Sequence, residues 1–172
     1  MNILPQYRNM LAYIDLKVND FSFSHSERRV VAAALYDVAN EHGKGICTLF
    51  ENHRDVSAFS MMRIQFETFI RGAWLLHCAT ENELNYFLKK DKIKSESKEK
   101  FYFGDMVKDV ELARDWSGTL SEIKKGSWSA LNSYTHGGRH QITRRFDGRT
   151  IEAHHEPEQK QETVKFSAML SF

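Results

Sequence analysis

The chain has 172 residues, 41% of them hydrophobic and 27% charged, with a formal net charge of +1. That length supports one domain with a substantial core. The near-neutral balance excludes a polycation that holds nucleic acid by bulk charge, so any anion must be met by a local patch.

The N-terminal stretch MNILPQYRNMLAYIDLKV lacks the continuous apolar core of a secretory signal, and it reads as a short helix over 6–17. A capping box from Ser24 to Glu27 opens a helix over about 25–42, with Val30, Ala33, Ala34 and Val38 on one side and Gly43 as its C-terminal stop. ICTLFENH follows as a further helical segment or as an early part of the next helix. The run from Val56 to Ala79 is long enough to span a bilayer, but Arg63, Glu67 and Arg71 would lie at costly mid-membrane depth. The spacing predicts instead the central buried helix of a bundle, over about 56–79. Thr80 and Glu83 form a second capping box for a helix over about 81–90.

The most polar run, KKDKIKSESKEK at 89–100, has the composition of a solvated, mobile loop. Helices are predicted over about 101–114, with Phe103, Met106, Val107 and Val110 inward, and over 119–134, with Leu120, Ile123, Trp128 and Leu131 inward. In QITRRFDGRTIEA, Asp147-Gly148 lies between two alternating segments, which predicts a small basic β-hairpin near 141–152. A last helix runs from about 157 and ends on VKFSAMLSF without a cap, as though truncated or completed by a partner. The expected whole is a single all-α domain over 1–172, a helical bundle around the 56–79 helix. Cys47 and Cys78 both fall in apolar segments, which suits buried thiols in a cytoplasmic protein better than a disulfide framework.

Two stretches carry candidate chemistry. On a helix turning about 100° per residue, Arg63, Glu67, Arg71, Trp74 and Cys78 share one face. Three buried charges cost several kcal/mol each, roughly, unless they pair. One reading is an i,i+4 ladder in which Glu67 bridges both arginines. The other is an anion site, because Arg63 and Arg71 outnumber the carboxylate and a guanidinium grips phosphate or carboxylate as a bidentate fork. In both readings Glu67 orients the guanidinium groups rather than serving as a general base.

The second stretch is SYTHGGRHQITRRFDGR, residues 133–149. Gly137 and Gly138 permit left-handed backbone and an anion nest. Arg139, Arg144, Arg145 and Arg149 set against Asp147 make the segment basic, and histidines such as His136 and His140 titrate near neutrality, so His136 can move a proton. The alternative is a helix-capping glycine pair followed by a basic surface hairpin. The glycines break the alignment of His136 with His140, and neither a cysteine nor an acidic cluster completes a ligand set with His154 and His155. No metal or other cofactor is therefore expected.

The Arg63–Glu67–Arg71-Gly72–Trp74 helix and the SYTHGG…RR…IE segment together resemble an uncharacterised bacterial family of small helical proteins, over roughly residues 55–155. More distantly the chain resembles the HEPN superfamily, helical bundles of bacterial defence and toxin–antitoxin systems. Many of these are metal-independent ribonucleases that use an arginine followed after four to six residues by a histidine. Arg71-x5-His77 and Arg149-x4-His154 carry that spacing, with Thr150 where the superfamily usually has Asn or Asp. The resemblance implies metal-independent RNA cleavage, with His136 or His154 as acid/base and Arg63, Arg71, Arg139 and Arg149 holding phosphate. Glu67 would position Arg63 and Arg71. With the cysteine usage, the lack of a clean membrane span and an apolar C-terminal helix that offers an interface, the expected protein is a cytoplasmic homo-oligomer, away from membranes, acting on RNA or another phosphate-bearing ligand or meeting a protein partner. The alternatives are a non-catalytic sensor or partner-binding protein with an anion-binding Arg/Glu/Arg cleft, and a purely structural charge ladder.

Overall fold

The computed structural model describes residues 3–19, 26–146, 148–152 and 155–171. In chain order these form α1 (Leu4–Asn19), α2 (Glu27–Glu51), α3 (Asp55–His77), α4 (Glu81–Lys90), α5 (Phe103–Arg114), α6 (Thr119–Thr135), α7 (Arg139–Thr143) and α8 (Pro157–Met169). The protein is all-helical, and among the described residues no helix is long and apolar enough to cross a membrane.

The core is arranged about α3, which packs against α2, α5, α6 and α8. Phe59, Met62, Phe66, Phe69, Ile70, Trp74 and Leu75 of α3 are all buried. Each such side chain contributes about 1.5–3 kcal/mol on leaving water. Phe66 meets Phe103 of α5 and Phe166 of α8 edge-on, both at 5.2 Å, so one ring joins three helices.

Helix α2 does not stop at Gly43 as its sequence suggests; it continues through that residue to Glu51. Tertiary packing explains the glycine. A Cβ at position 43 would lie 2.2 Å from the Tyr7 hydroxyl oxygen, so the missing side chain lets α1 approach α2. That hydroxyl lies 2.7 Å from Ser167 Oγ and 2.8 Å from Ser171 Oγ, while Ser167 Oγ donates to Gln65 Oε1 at 2.6 Å. The buried network ties α1 and α3 to the C-terminal segment, and every member found a partner, as burial of polar groups requires. Burial also raises the Tyr7 hydroxyl above its ordinary pKa, against the lowering effect of its serine and glutamine partners.

Helix starts follow the sequence more closely. The Thr80–Glu83 capping box is present, with Glu83 N–H donating to Thr80 Oγ1 and Thr80 N–H to Glu83 Oε2. The α2 N-cap is Ser26; the expected capping residue Ser24 lies outside the described residues. The charged connection after α4 is fastened back onto that helix. Glu96 N–H donates to Glu83 Oε1 at 2.6 Å, and Thr80 and Asn82 both donate to the Glu96 carboxylate.

The expected β-hairpin near 141–152 is not formed. Residues Arg139–Thr143 are helical, and a single isolated bridge joins Phe146 to Ile151; Asp147 lies outside the described residues. Ile142, Phe146 and Ile151 are all more than half exposed, so no core receives the apolar face of a ribbon. A lone two-stranded hairpin is marginal without such support.

Candidate functional site

The charged stripe of α3 does not lie in a sealed interior. Side-chain exposure is 22% for Arg63, 25% for Glu67 and 44% for Arg71, so the stripe climbs from the core edge to solvent. Trp74, predicted on the same face, is buried and its indole N–H donates to Asp109.

Arg63 is held from several directions. Its Nε donates to Glu67 Oε1 at 2.8 Å. Its Nη1 lies 2.5 Å from His136 Nε2. Its Cζ stands 5.0 Å from the Trp128 ring centroid, a cation–π distance. Trp128 is itself stacked on Phe103 at 4.6 Å, so α5 and α6 together fix the surface on which the guanidinium rests. A guanidinium has no acceptor, so His136 Nε2 accepts this hydrogen bond and its lone pair is engaged.

The turn carrying His136 is fixed by helix-ending chemistry. His136 caps α6, and Gly137 follows with φ 68°, the left-handed geometry that glycine adopts freely. Gly138 N–H donates to Ser133 O at 2.7 Å, and His140 N–H donates to Ser133 Oγ at 2.9 Å. These two donors, part of the expected anion nest, are thus engaged in ending the helix. The end of α6 is also tied to α3: Ser60 Oγ donates to Tyr134 O at 2.8 Å, and the Gln141 amide donates to the same carbonyl.

Beside this cage lies an open cleft of about 460 Å³. Arg63, Glu67 and Arg71 line one side, with Asp91 and Lys92 from the charged connection and Phe101, Tyr102, Phe103 and Trp128 around them. Three cations face two carboxylates there, leaving a surplus positive charge. Glu67 does not divide itself evenly: its contact to Arg63 is 2.8 Å, whereas Arg71 is 4.0 Å away. Arg63 is therefore the more tightly held guanidinium and Arg71 the more exposed one.

The remaining sequence candidates fall elsewhere. Arg139 is exposed at the start of α7 and Arg149 is exposed within 148–152, and neither lines the cleft. His154 lies outside the described residues. His77 also stays out of the cleft; burial and nearby Arg114 lower its pKa. Burial raises both Cys47 and Cys78 to about 11, so neither thiol is a ready nucleophile. Among the described residues no group of three or more His, Cys, Asp or Glu side chains gathers to hold a metal.

Sequence reasoning missed that Lys92, Tyr102 and Trp128 line this cleft. Lys92 belongs to a run that reads as solvated loop, and Trp128 sits at a position that reads as core. No local signal places them in one cleft with Arg63, because the cleft forms only once α3, α5 and α6 have packed.

A second polar cluster lies at the start of α3. Asp55 is buried; its Oδ2 pairs with Lys160 Nζ at 2.5 Å, while Oδ1 has no partner among the described residues. His155 packs on Phe59 at 4.7 Å between ring centroids, with both ring nitrogens buried and unpartnered among the described residues. Burial lowers its pKa, with Asp55 acting in the opposite direction.

A protein-family model described as a family of unknown function (DUF6988) matches residues 36–172. The chain belongs to this family. The DUF6988 match includes every residue lining the arginine cleft, and His136 with them. Comparison with curated proteins and with solved structures found no significant match.

Proposed function

We propose that this DUF6988 protein is a non-catalytic module that binds an anionic ligand, a phosphate or carboxylate, in the cleft between α3, α5 and α6. The observation that carries the reading is the division of labour between two arginines on one helix face. Arg63 is locked by Glu67, His136 and Trp128, whereas Arg71 stands almost half exposed in a cleft with surplus positive charge. The surplus charge is already gathered in the cleft, and Arg63 is held in place, so of the two arginines only Arg71 has to be ordered on an incoming anion.

The test is ligand-dependent thermal stabilisation with pyrophosphate. A ligand at a hundred times its Kd stabilises the folded state by about 2.7 kcal/mol. The wild type should shift upward in melting temperature and Arg71→Ala should not, although both fold. Equal shifts in both proteins would remove the cleft from consideration.

A second reading is metal-independent RNA cleavage of the HEPN type, in a bacterial defence or toxin–antitoxin setting, by a cytoplasmic homo-oligomer. It is supported by the approach of His136 to Arg63, which sets an imidazole beside a phosphate-binding cation. Against it, His136 Nε2 is occupied by the guanidinium, and His77 and Arg149 lie outside the cleft. Incubation of RNA with the wild type and His136→Ala in EDTA decides the matter: cleavage by the wild type alone would make this the leading reading.

A further inference from the structure

We infer that the ligand of the arginine cleft carries an aromatic ring beside its anionic group, and that its class is a free nucleoside phosphate; this rests on the anion-binding reading above. The inference comes from the aromatic residues of the cleft. Phe101 packs on Trp74, with ring centroids 5.2 Å apart. Phe103 and Trp128 stack on each other, and Arg63 lies over the Trp128 ring. Tyr102 differs from these three: it lines the same cleft, is 65% exposed and has no ring partner among the described residues.

Its backbone is nevertheless fixed. Tyr102 is the N-cap of α5, and its N–H donates to Asp105 Oδ2 at 3.0 Å. The ring is therefore presented to solvent from an anchored position, along the same cleft as Arg71 and Lys92. An open aromatic face stacks a base of any identity, and a guanidinium with a neighbouring ammonium holds a phosphate. The cleft volume of about 460 Å³ falls within the range of small-molecule sites. Charge favours a free nucleotide over a polynucleotide strand. Glu67 and Asp91 also line the cleft and offset two of its three cations, so a run of further phosphates would find little there to neutralise it.

The experiment is calorimetric titration of the full chain with AMP, ribose 5-phosphate and a ten-nucleotide single-stranded RNA, using wild type, Tyr102→Ala, Tyr102→Phe and Arg71→Ala. AMP should bind about tenfold more tightly than ribose 5-phosphate, the contribution expected of one stacked base. Tyr102→Phe should keep that advantage. Tyr102→Ala should erase it without changing ribose 5-phosphate binding, and Arg71→Ala should weaken both ligands. Equal affinities of the wild type for AMP and ribose 5-phosphate, or an AMP advantage that survives Tyr102→Ala, would overturn the aromatic inference while leaving an anion cleft that depends on Arg71. RNA binding far tighter than AMP would overturn the choice of a free nucleotide. Failure of both phosphate ligands to bind would overturn the anion-binding reading itself.

Discussion

Arg63 Nη1 and His136 Nε2 lie 2.5 Å apart although 73 positions separate them in the chain. The contact joins the middle of α3 to the turn that ends α6, and it adds to the hold that Glu67 and Trp128 already have on Arg63. Because the imidazole accepts from the guanidinium, His136 is a structural partner of Arg63 in this account.

His136→Ala should therefore lower stability modestly, by about 1 kcal/mol, the usual worth of a hydrogen bond to a partly exposed site. Affinity for pyrophosphate should stay within about twofold, or roughly 0.4 kcal/mol, because His136 does not line the cleft and Arg63 keeps its contacts to Glu67 and Trp128. Thermal unfolding with and without pyrophosphate checks both parts. A large loss of affinity at unchanged stability would make His136 a ligand contact.

Glu67→Gln should strengthen anion binding. The amide oxygen can still accept from Arg63 Nε, so the cage is retained, while one negative charge leaves the cleft. A unit charge some 6 Å away in a water-like dielectric is worth about 0.7 kcal/mol, roughly threefold in affinity. The gain should shrink as salt rises and screening shortens the field. Titration with pyrophosphate at low and high ionic strength measures it, and weaker binding by Glu67→Gln at low salt would contradict the electrostatic argument.

Gly43→Ala should destabilise the protein by about 1–3 kcal/mol, because the new methyl displaces the Tyr7 hydroxyl from its serine partners. The effect should depend on that hydroxyl. In a double-mutant cycle with Tyr7→Phe, the two costs should add to more than the double variant shows. Strict additivity in urea unfolding would mean that the glycine serves some other purpose.

Helix boundaries were legible in the sequence where a local signal agreed with the tertiary packing. The start of the 81–90 helix follows from Thr80 and Glu83, and the apolar spacing of α3, α5 and α6 places each helix within a few residues. Gly43 misleads because its signal is local while its reason is Tyr7, brought from α1. Asp147-Gly148 misleads for the reciprocal reason: the turn chemistry is present, but Phe146 and Ile151 find no core. The charged stripe was visible as a pattern, as were Arg63, Glu67 and Arg71 as a group. The unequal sharing of Glu67 was not, nor were the contacts that Arg63 makes with His136 and Trp128, which form only when α6 packs against α3.

Acid should loosen the contact that His155 makes with α3. Its pKa in the folded protein is lowered from 6.5, chiefly by burial, so the folded state binds fewer protons than the unfolded one as pH falls through this region. Asp55 favours protonation, while Arg144, Lys160 and Arg145 oppose it. The stability from neutral His155 is full above pH 6.5 and is lost as pH drops from there toward the lowered value. His42 and His77 are shifted in the same direction, so the comparison must be with His155→Phe, which keeps the ring against Phe59. The variant should show a shallower loss of unfolding free energy below pH 6.5 than the wild type; parallel pH profiles would mean that His155 does not titrate with folding.

The division between a fixed and a free arginine can be observed at the guanidinium groups themselves. Nitrogen-15 NMR of the arginine Nε–H signals, followed during titration with pyrophosphate, should move the Arg71 resonance progressively and saturably. The Arg63 resonance, already hydrogen-bonded to Glu67, should stay close to its starting position. Movement of Arg63 with Arg71 unaffected, or no saturable change in either, would contradict the account.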